Sequence, residues 1–286
     1  MSITIIFVNY NSSADLLEAV DSLKASAIPK NFVRKIVVVD NDNPSNLKEI
    51  SGVEVLRPGK NLGFTGANNL AIRKFPADFY LLLNPDVIVK KDFLTNLTNV
   101  TNSPNFGLAS PKIYFYPGFE FHKERYAEKD LGKVIWYAGG EIDWKNVVGK
   151  HKNVDLVDQP NLTNSMETDF CTGCCLLIKN EVVEKIGLLD EKLFFSWEDT
   201  DYSARAKKAG FKIVYVPKSV IWHKNANTSG GAGSLTQDFY QTRNRLIFAF
   251  KYAPVKTRFL LLWQLLKTAN LNRLRAIVNF PLAFLG

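Results

Sequence analysis

Hydrophobic and polar positions alternate with two different periods over the first hundred residues. Four short apolar runs, at residues 3–8, 36–39, 53–56 and 79–83, have the length and composition of buried strands. Between them, a serine-capped segment places Leu16, Leu17, Val20 and Leu23 at helical spacing, and a second helix is predicted over 66–75. Apolar strands that alternate with helices predict a parallel sheet covered on both faces.

The pattern in the middle of the chain is less regular and predicts a second group of strands. Strands are expected over 107–116, 134–138, 141–148, 170–178, 211–216 and 220–222, around a polar, loop-rich stretch at 117–132. Helices are expected over 180–186 and 198–209, the latter stopped by Gly210. Beyond Thr236 the spacing is helical, with interruptions expected at Pro254 and Pro281. The whole pattern predicts an α/β fold with a helical C-terminal extension.

Composition and charge restrict the class of protein and single out the C-terminal segment. With 286 residues, 46% hydrophobic and 22% charged, the chain has the composition of a globular protein of one or two domains. The net charge of +8 lies entirely between Phe239 and Gly286, which hold eight Lys or Arg and no Asp or Glu. This local excess predicts a basic extension that meets an anionic partner, and it argues against a general nucleic-acid coating protein.

Cysteine content and hydropathy favour a cytoplasmic protein. Cys171, Cys174 and Cys175 are too few and too close together for a disulfide framework, lack the partners of a zinc site, and are expected in the core. The N-terminus lacks the features of an export signal, and no apolar run reaches the length of a membrane span.

Three polar clusters follow predicted strands, at 9–11, 40–42 and 84–86. Ligands of open α/β sheets bind beyond the carboxyl ends of strands, so these clusters predict one ligand site. In the third cluster, Asn84 and Asp86 offer oxygen ligands that suit a divalent ion bridging phosphates. The alternative is a simple turn, for which Asn-Pro-Asp is common.

A second acidic cluster begins the helix predicted over 198–209. Glu198, Asp199 and Asp201 follow an aromatic run that ends at Trp197. Aromatic neighbours can desolvate a carboxylate, raise its pKa and so prepare a general base. Acidic residues also stabilise the first turn of any helix, so both interpretations stay open.

Two further segments are candidates for contacts with phosphate. His223 ends a predicted strand and can serve as a metal ligand, and the Gly-rich stretch at 227–233 behind it can order over phosphates or act only as a linker. Residues 61–69 open a helix with two glycines and three asparagines, which permits close backbone approach to a ligand. The segment is neither a P-loop nor a dinucleotide fingerprint.

Together these motifs resemble the family 2 glycosyltransferases with a GT-A fold, especially the rhamnosyltransferase-like branch of bacterial surface polysaccharide synthesis. The segments that carry the resemblance, in chain order, are Val8–Ser12, Val38–Asp42, Asn61–Asn69, Leu83–Asp86, Trp197–Asp201 with Arg205 and Gly210, and Tyr240 with Arg243 and Asn244. Asn84 departs from the family's D-x-D motif, whose last carboxylate is retained as Asp86.

The resemblance implies a Rossmann-like, mostly parallel sheet that binds nucleotide diphosphate sugars, and it implies residue roles. The donor would be bound by Tyr10, Asp40, Asn61, Gly66, Asn68, Asn84 and Asp86. Asp86 and His223 would hold Mg²⁺ or Mn²⁺, Asp199 would be the base of an inverting transfer, and Trp197, Glu198 and Asp201 would bind the acceptor. The implied domains are a catalytic domain at 1–236, divided near 105 into nucleotide and acceptor halves, and an amphipathic extension at 237–286.

The resemblance implies as donor dTDP-rhamnose or a UDP-hexose, and as acceptor a saccharide carried on a membrane lipid diphosphate. Basic residues alternate with Leu, Phe and Trp beyond residue 239, as in helices that lie on anionic bilayers, so we expect a protein peripheral to the inner face of the membrane. The alternative is packing of these helices on the catalytic domain or on a second copy in a homodimer. No nucleic-acid partner is expected.

The sequence can be compared with the requirements of two other functions. A nucleotidyltransferase would need a Gly-rich, basic loop after the first strand, and residues 9–13 contain neither glycine nor a basic residue. A GT-A protein that binds nucleotide or carbohydrate without turnover is the remaining alternative, since Asn84 replaces an acidic residue. Retention of Asp86, Asp199 and His223 favours an enzyme.

Overall fold

The computed structural model describes residues 1–42, 44–159, 165–225, 234–268 and 270–285 of the chain. The strands are β1 (Ser2–Asn9), β2 (Val33–Asp40), β3 (Glu54–Leu56), β4 (Phe79–Leu83), β5 (Val87–Val89), β6 (Phe106–Phe115), β7 (Ile135–Tyr137), β8 (Gly140–Asp143), β9 (Val148–His151), β10 (Met166–Glu167), β11 (Cys175–Lys179) and β12 (Lys212–His223). The helices are α1 (Ser13–Lys24), α2 (Gly63–Lys74), α3 (Phe93–Thr98), α4 (Asn180–Ile186), α5 (Glu198–Lys208), α6 (Leu235–Tyr252), α7 (Val255–Lys267) and α8 (Leu271–Leu285).

One mixed sheet organises the molecule, with its strands in the order β10-β12-β6-β11-β4-β1-β2-β3. Strands β3, β2, β1, β4, β6 and β12 share one direction, and β11 runs against them between β4 and β6. The short strands β5 and β7 pair with β12 and β6, and β8 and β9 form a separate hairpin. The α/β fold with a mostly parallel sheet is therefore confirmed.

The strands and helices predicted for the first hundred residues are present, and β4 has the predicted bounds. The single strand predicted over 141–148 is wrong, because the Asp143 carboxylate accepts hydrogen bonds from the backbone N–H groups of Lys145 and Asn146 and starts a hairpin turn. The two strands predicted over 211–222 are one strand with a register shift between Val216 and Val220. β5 and α3 were not predicted.

The C-terminal helices differ in how closely they join the core. In α6, the side chains of Leu246, Ile247 and Phe248 are buried within the main hydrophobic core. α7 and α8 lie outside α6 and bury mainly Leu261, Leu265 and residues of the inner face of α8. The interruption expected at Pro281 is wrong, because this proline lies inside α8. Among the described residues, none of the helices combines the length and apolar character required to cross a bilayer.

Candidate active site

Two adjoining cavities open where the parallel strands end. The first, called here the acidic cavity, has a volume of about 300 Å³ and contains Asp86, His223, Glu198 and Asp199. The second, called the asparagine cavity, has a volume of about 250 Å³ and contains three asparagines. The residues that line both cavities are Phe64, Asn84 and Phe195. A ligand can therefore extend from one cavity into the other.

The acidic cavity has an Asp–His pair at its base. Asp86 follows β4 and His223 ends β12, and the pairing of β5 with β12 brings them together with 3.2 Å between His223 Nε2 and Asp86 Oδ1. Both side chains are buried. Burial lowers the pKa of His223, but the charge of Asp86, together with the neighbouring Cys174, outweighs it, and the pKa lies well above the ordinary value.

The Asp–His pair fits a divalent ion that also binds the ligand. No group of three or more His, Cys, Asp or Glu side chains placed to hold a metal occurs within the described ranges. His223 Nδ1 is buried without a hydrogen-bond partner among these residues. A carboxylate and an imidazole suit Mg²⁺ or Mn²⁺ when phosphate oxygens and water complete the coordination shell. Asp86 and His223 thus lie close together and are candidate metal ligands.

Two adjacent carboxyl groups, those of Glu198 and Asp199, also line the acidic cavity. Asp199 accepts hydrogen bonds from the Gly173 N–H at 2.8 Å and from the Thr200 N–H at 2.6 Å, which fix its orientation. Glu198 is 6% exposed, and its Oε2 has no hydrogen-bond partner among the described residues. Burial raises the pKa of both groups, and the charge of Asp199 raises the pKa of Glu198 further. Asp199 accepts two backbone N–H hydrogen bonds, which stabilise its charged form, whereas Glu198 Oε2 accepts none among the described residues, so Glu198 is the group better suited to hold a proton.

The turn before α5 aims these carboxyl groups and is conformationally unusual. Phe194, Ser196 and Trp197 have φ values of 50°, 68° and 71°, which non-glycine residues seldom adopt. The amide of Asn244 on α6 donates hydrogen bonds to the carbonyls of Leu193, Phe195 and Ser196 at 2.6 to 2.8 Å. Strain of this kind persists only where surrounding contacts enforce it.

The Gly-rich start of α2 is shaped to fit the same turn. Gly63 has φ +69°, and a Cβ there would lie 2.5 Å from the ring of Phe194. The side chain of Asn61 accepts the Gly63 N–H at 2.8 Å, and the Asn41 amide donates to the Gly63 carbonyl at 3.1 Å. Glycine is required here by both conformation and space.

The structure brings together many, but not all, of the residues proposed from the sequence. Those that line one of the two cavities are Tyr10, Asn61, Asn84, Asp86, Trp197, Glu198, Asp199 and His223. Those that line neither are Asp40, Gly66, Asn68 and Asp201. The Gly-rich stretch at 227–233 lies outside the described residues.

Each of these four residues has a structural environment of its own. Asp40 is fully buried and accepts hydrogen bonds from Asn9 and Ser45. Asn68 donates to the Phe64 carbonyl within α2, and a Cβ at Gly66 would lie 3.1 Å from the Cβ of Leu62, the residue before α2. Asp201 accepts hydrogen bonds from Arg205, Lys251 and Tyr252 at 2.8 to 3.0 Å. Asp201 therefore joins α5 to α6 and does not face the acidic cavity.

Sequence reasoning missed an aromatic wall that contains a second histidine. His151 ends β9 and lines the acidic cavity with Trp136 and Phe170. Its Nδ1 lies 3.1 Å from the Trp136 carbonyl, an acceptor, so Nδ1 carries the proton. Burial lowers the pKa of His151 to about 4. No local motif marks His151, because only the β8–β9 hairpin brings it to the site.

Comparisons with known proteins agree with this geometry. The family described as glycosyltransferase like family 2 matches residues 2–239. An N-acetylglucosaminyl-diphospho-decaprenol L-rhamnosyltransferase of Mycobacterium tuberculosis is 37% identical over 206 residues, which are 67% of this chain and 65% of that protein. A low-salt glycan biosynthesis hexosyltransferase of Haloferax volcanii is 27% identical over 74% of this chain, which spans 63% of the relative's length.

Solved structures share the fold at low sequence identity. The structure of GalNAc-T7 with UDP, GalNAc and Mn²⁺ superposes with a TM-score of 0.67 at 19% identity, over 87% of this chain and 48% of that one. The mannosyltransferase PcManGT of Pyrobaculum calidifontis, in complex with GDP-Man and Mn²⁺, gives 0.55 at 12% identity, over 99% of this chain and 80% of that one. The family match covers most of the chain, and the chain belongs to family 2 of the glycosyltransferases.

Proposed function

We propose that this protein is an inverting, metal-dependent glycosyltransferase. It moves a sugar from a nucleoside diphosphate sugar, dTDP-rhamnose or a UDP-hexose, to a hydroxyl of a growing, lipid-linked surface polysaccharide. One observation carries the proposal: the Asp86–His223 pair and the Glu198–Asp199 pair face one cavity, which adjoins a second cavity lined by Tyr10.

The donor occupies both cavities in this proposal. Its nucleoside lies in the asparagine cavity against Tyr10, which is 42% exposed, with Asn61 and Asn84 offering amide groups. Its diphosphate lies beside Asp86 and His223. A divalent ion held by these two residues would neutralise charge on the departing diphosphate. The Mn²⁺ of the GalNAc-T7 and mannosyltransferase structures supports this assignment.

The two carboxyl groups divide the proton chemistry between them. Asp199, oriented by the Gly173 and Thr200 N–H groups, accepts the proton of the acceptor hydroxyl. The hydroxyl oxygen bonds to the anomeric carbon as the bond from that carbon to the diphosphate breaks, which inverts the configuration. Glu198 remains protonated and donates a hydrogen bond to a sugar hydroxyl. Environments that separate the pKa values of two carboxyls commonly separate their roles.

The acceptor enters along the aromatic wall, where Trp136, His151, Phe170 and Trp197 offer stacking faces. The name of the mycobacterial relative, which includes diphospho-decaprenol, supports a lipid-linked acceptor. The outer face of α7 and α8 then rests on the inner surface of the membrane. The apolar side chains of this outer face are between 42% and 74% exposed. They are Phe259, Leu260, Trp263, Leu266, Leu271, Leu274, Val278 and Leu282.

A donor screen tests the proposal. The protein is incubated with each nucleoside diphosphate sugar and Mn²⁺ or Mg²⁺, and release of the nucleoside diphosphate is measured. Asp86→Ala should abolish metal-dependent release, whereas Asp21→Ala, which removes an exposed carboxylate on α1, should leave it unchanged. Asp199→Asn should abolish transfer while donor affinity stays similar. Absence of release, together with absence of thermal stabilisation by every nucleoside diphosphate tested, would contradict the proposal.

A further inference from the structure

A third cavity, called here the helical cavity, lies among α6, α7 and α8 and has a volume of about 470 Å³. It adjoins the acidic cavity, because Gln241 lines both. The charged residues that line it are Asp238, Arg245 and Arg273. The remaining lining consists of amide, hydroxyl and leucine side chains of α6, α7 and Thr268, which follows α7.

The charge of the helical cavity favours an anion. Arg273 Nε lies 3.0 Å from Asp238, the last acidic residue of the chain. Arg245 has no carboxylate partner in the cavity, and it donates to the carbonyls of Asn146 and Val147. Burial, and then the positive charge of Arg273, lower the pKa of Arg245, so the two guanidinium groups act on each other. The lining of the cavity therefore holds two guanidinium groups and one carboxylate, and it carries a net positive charge.

The surroundings of this cavity indicate what kind of anion it accepts. Leu261 and Leu265 contribute apolar surface to the lining. On the outer side of the same helices lies the exposed apolar face that begins at Phe259 and continues to Leu282. A small inorganic anion needs no apolar surface, whereas a lipid phosphate carries a hydrocarbon chain that does.

We infer that the helical cavity binds the diphosphate of the lipid-linked acceptor through Arg273 and Arg245. The saccharide then extends past Gln241 to Glu198 and Asp199, and the lipid chain leaves along the apolar face of α7 and α8. This inference rests on the proposed function and adds to it a site for the carrier. Binding of the carrier at this cavity would explain why the basic C-terminal helices contact the catalytic core beside the aromatic wall.

Binding is tested by calorimetry with farnesyl diphosphate, farnesol and inorganic pyrophosphate. EDTA is present throughout, so that metal-dependent binding at the donor site does not contribute. Farnesyl diphosphate should bind at least about tenfold more tightly than either other probe. Equal binding of farnesol would mean an apolar surface only, and equal binding of pyrophosphate would mean a site for free anions. Either result would overturn the inference.

Three substitutions separate recognition from structure. Arg273→Gln should weaken binding of farnesyl diphosphate about tenfold, whereas Arg275→Gln, an exposed arginine of the same helix, should not. Asp238→Asn removes the competing carboxylate and should tighten binding. A merely structural Asp238–Arg273 pair predicts weaker binding in both variants. That outcome, or equal effects of the two arginine substitutions, would refute the inference.

Kinetics distinguish failure of this inference from failure of the proposed function. The same saccharide is offered as a lipid diphosphate and as a simple alkyl glycoside. Arg273→Gln should raise KM for the lipid diphosphate acceptor about tenfold. KM for the alkyl glycoside should stay unchanged, and so should kcat for both acceptors. An increase for both acceptors would contradict a diphosphate site. Absence of transfer by the unaltered protein would count against the proposed function, while the binding measurements would still decide the inference.

Discussion

The side-chain amide of Asn244 donates a hydrogen bond of 2.8 Å to the backbone carbonyl of Ser196, which lies 48 residues earlier in the chain. This contact joins α6 to the turn that precedes Glu198 and Asp199. The turn has three non-glycine residues at positive φ. Asn244 therefore acts on the carboxyl groups through the backbone and is a positioning residue.

Asn244→Ala should lower kcat about tenfold or more, because the released turn no longer orients Asp199. Donor binding, measured by thermal shift with the nucleoside diphosphate, should change much less. Asn279→Ala is the matched control, since within the described part of the chain the Asn279 amide donates only to the Arg275 carbonyl in its own helix. Equal kinetic effects of the two substitutions would show that Asn244 has no positioning role.

Glu198→Gln should stabilise the protein at neutral and higher pH. Burial and the charge of Asp199 raise the pKa of Glu198 well above that of an unfolded glutamate. The folded state then binds more protons, so the free energy of unfolding falls as pH rises from about 4.3 to the folded pKa. Glutamine removes this loss and should raise the free energy of unfolding at pH 7.5 relative to the unaltered protein.

Denaturant unfolding at pH 5 and pH 7.5 measures this effect. Glu181→Gln is the control, because Glu181 also lies in the first turn of a helix but is exposed. If Glu198 only stabilised the helix dipole, both substitutions would destabilise slightly. Because glutamine preserves a hydrogen-bond donor, Glu198→Gln should retain more activity than Asp199→Asn.

His151 should make the protein less stable as pH falls. Burial lowers the pKa of this histidine to about 4, so below pH 6.5 the unfolded state binds the extra proton first. The contribution of the neutral His151 to the free energy of unfolding is intact above pH 6.5 and declines toward pH 4. Between pH 7 and pH 5 it falls by about 2 kcal/mol. His151→Gln should remove this part of the pH dependence.

His122, whose side chain is 42% exposed, supplies the comparison for this measurement. Urea midpoints recorded from pH 7 to pH 5 should fall equally for the unaltered protein and for His122→Gln, and should fall less for His151→Gln. Parallel decreases in all three proteins would mean that His151 is not buried as a neutral imidazole.

The outer face of α8 should contribute to binding of anionic vesicles. Leu271, Leu274, Val278 and Leu282 lie on one face of this helix, and insertion of a leucine into the bilayer surface contributes about 2 kcal/mol. Leu282→Ser should therefore weaken co-sedimentation with anionic vesicles at low salt about tenfold. Val33→Ser is matched to it, since Val33 is 75% exposed and Leu282 74% exposed. Equal sedimentation of both variants would place the membrane contact elsewhere.

Local sequence signals predicted those parts of the fold that local interactions determine. The apolar run of β4 and the helix at Asn180–Ile186 have the predicted bounds. The hairpin at 140–151 was predicted as one strand, because its turn depends on hydrogen bonds to Asp143 that hydrophobic periodicity does not reveal. Pro281 was expected to end a helix and lies within one.

The candidate site was predictable where motifs mark strand ends and helix starts. Asp86, Asp199 and His223 lie in one cavity as expected from such positions. Asp201 has the same local context as Asp199 but points toward Lys251 and Tyr252, because two positions along a helix differ by about 200° in direction. His151 reaches the cavity only through a long-range arrangement of strands, and no spacing in the sequence indicates this.

The pairing of β12 with β6 also determines how late during synthesis a newly made chain can complete its candidate site. Strands β1 to β4 pair locally and can assemble soon after they leave the ribosome. His223 arrives only with β12, and Asn244 only with α6. Until translation has passed β12, the growing chain lacks its Asp–His pair, and until it has passed α6, it lacks the contact that fixes the turn before α5. The candidate site is therefore complete only after α6 has been made.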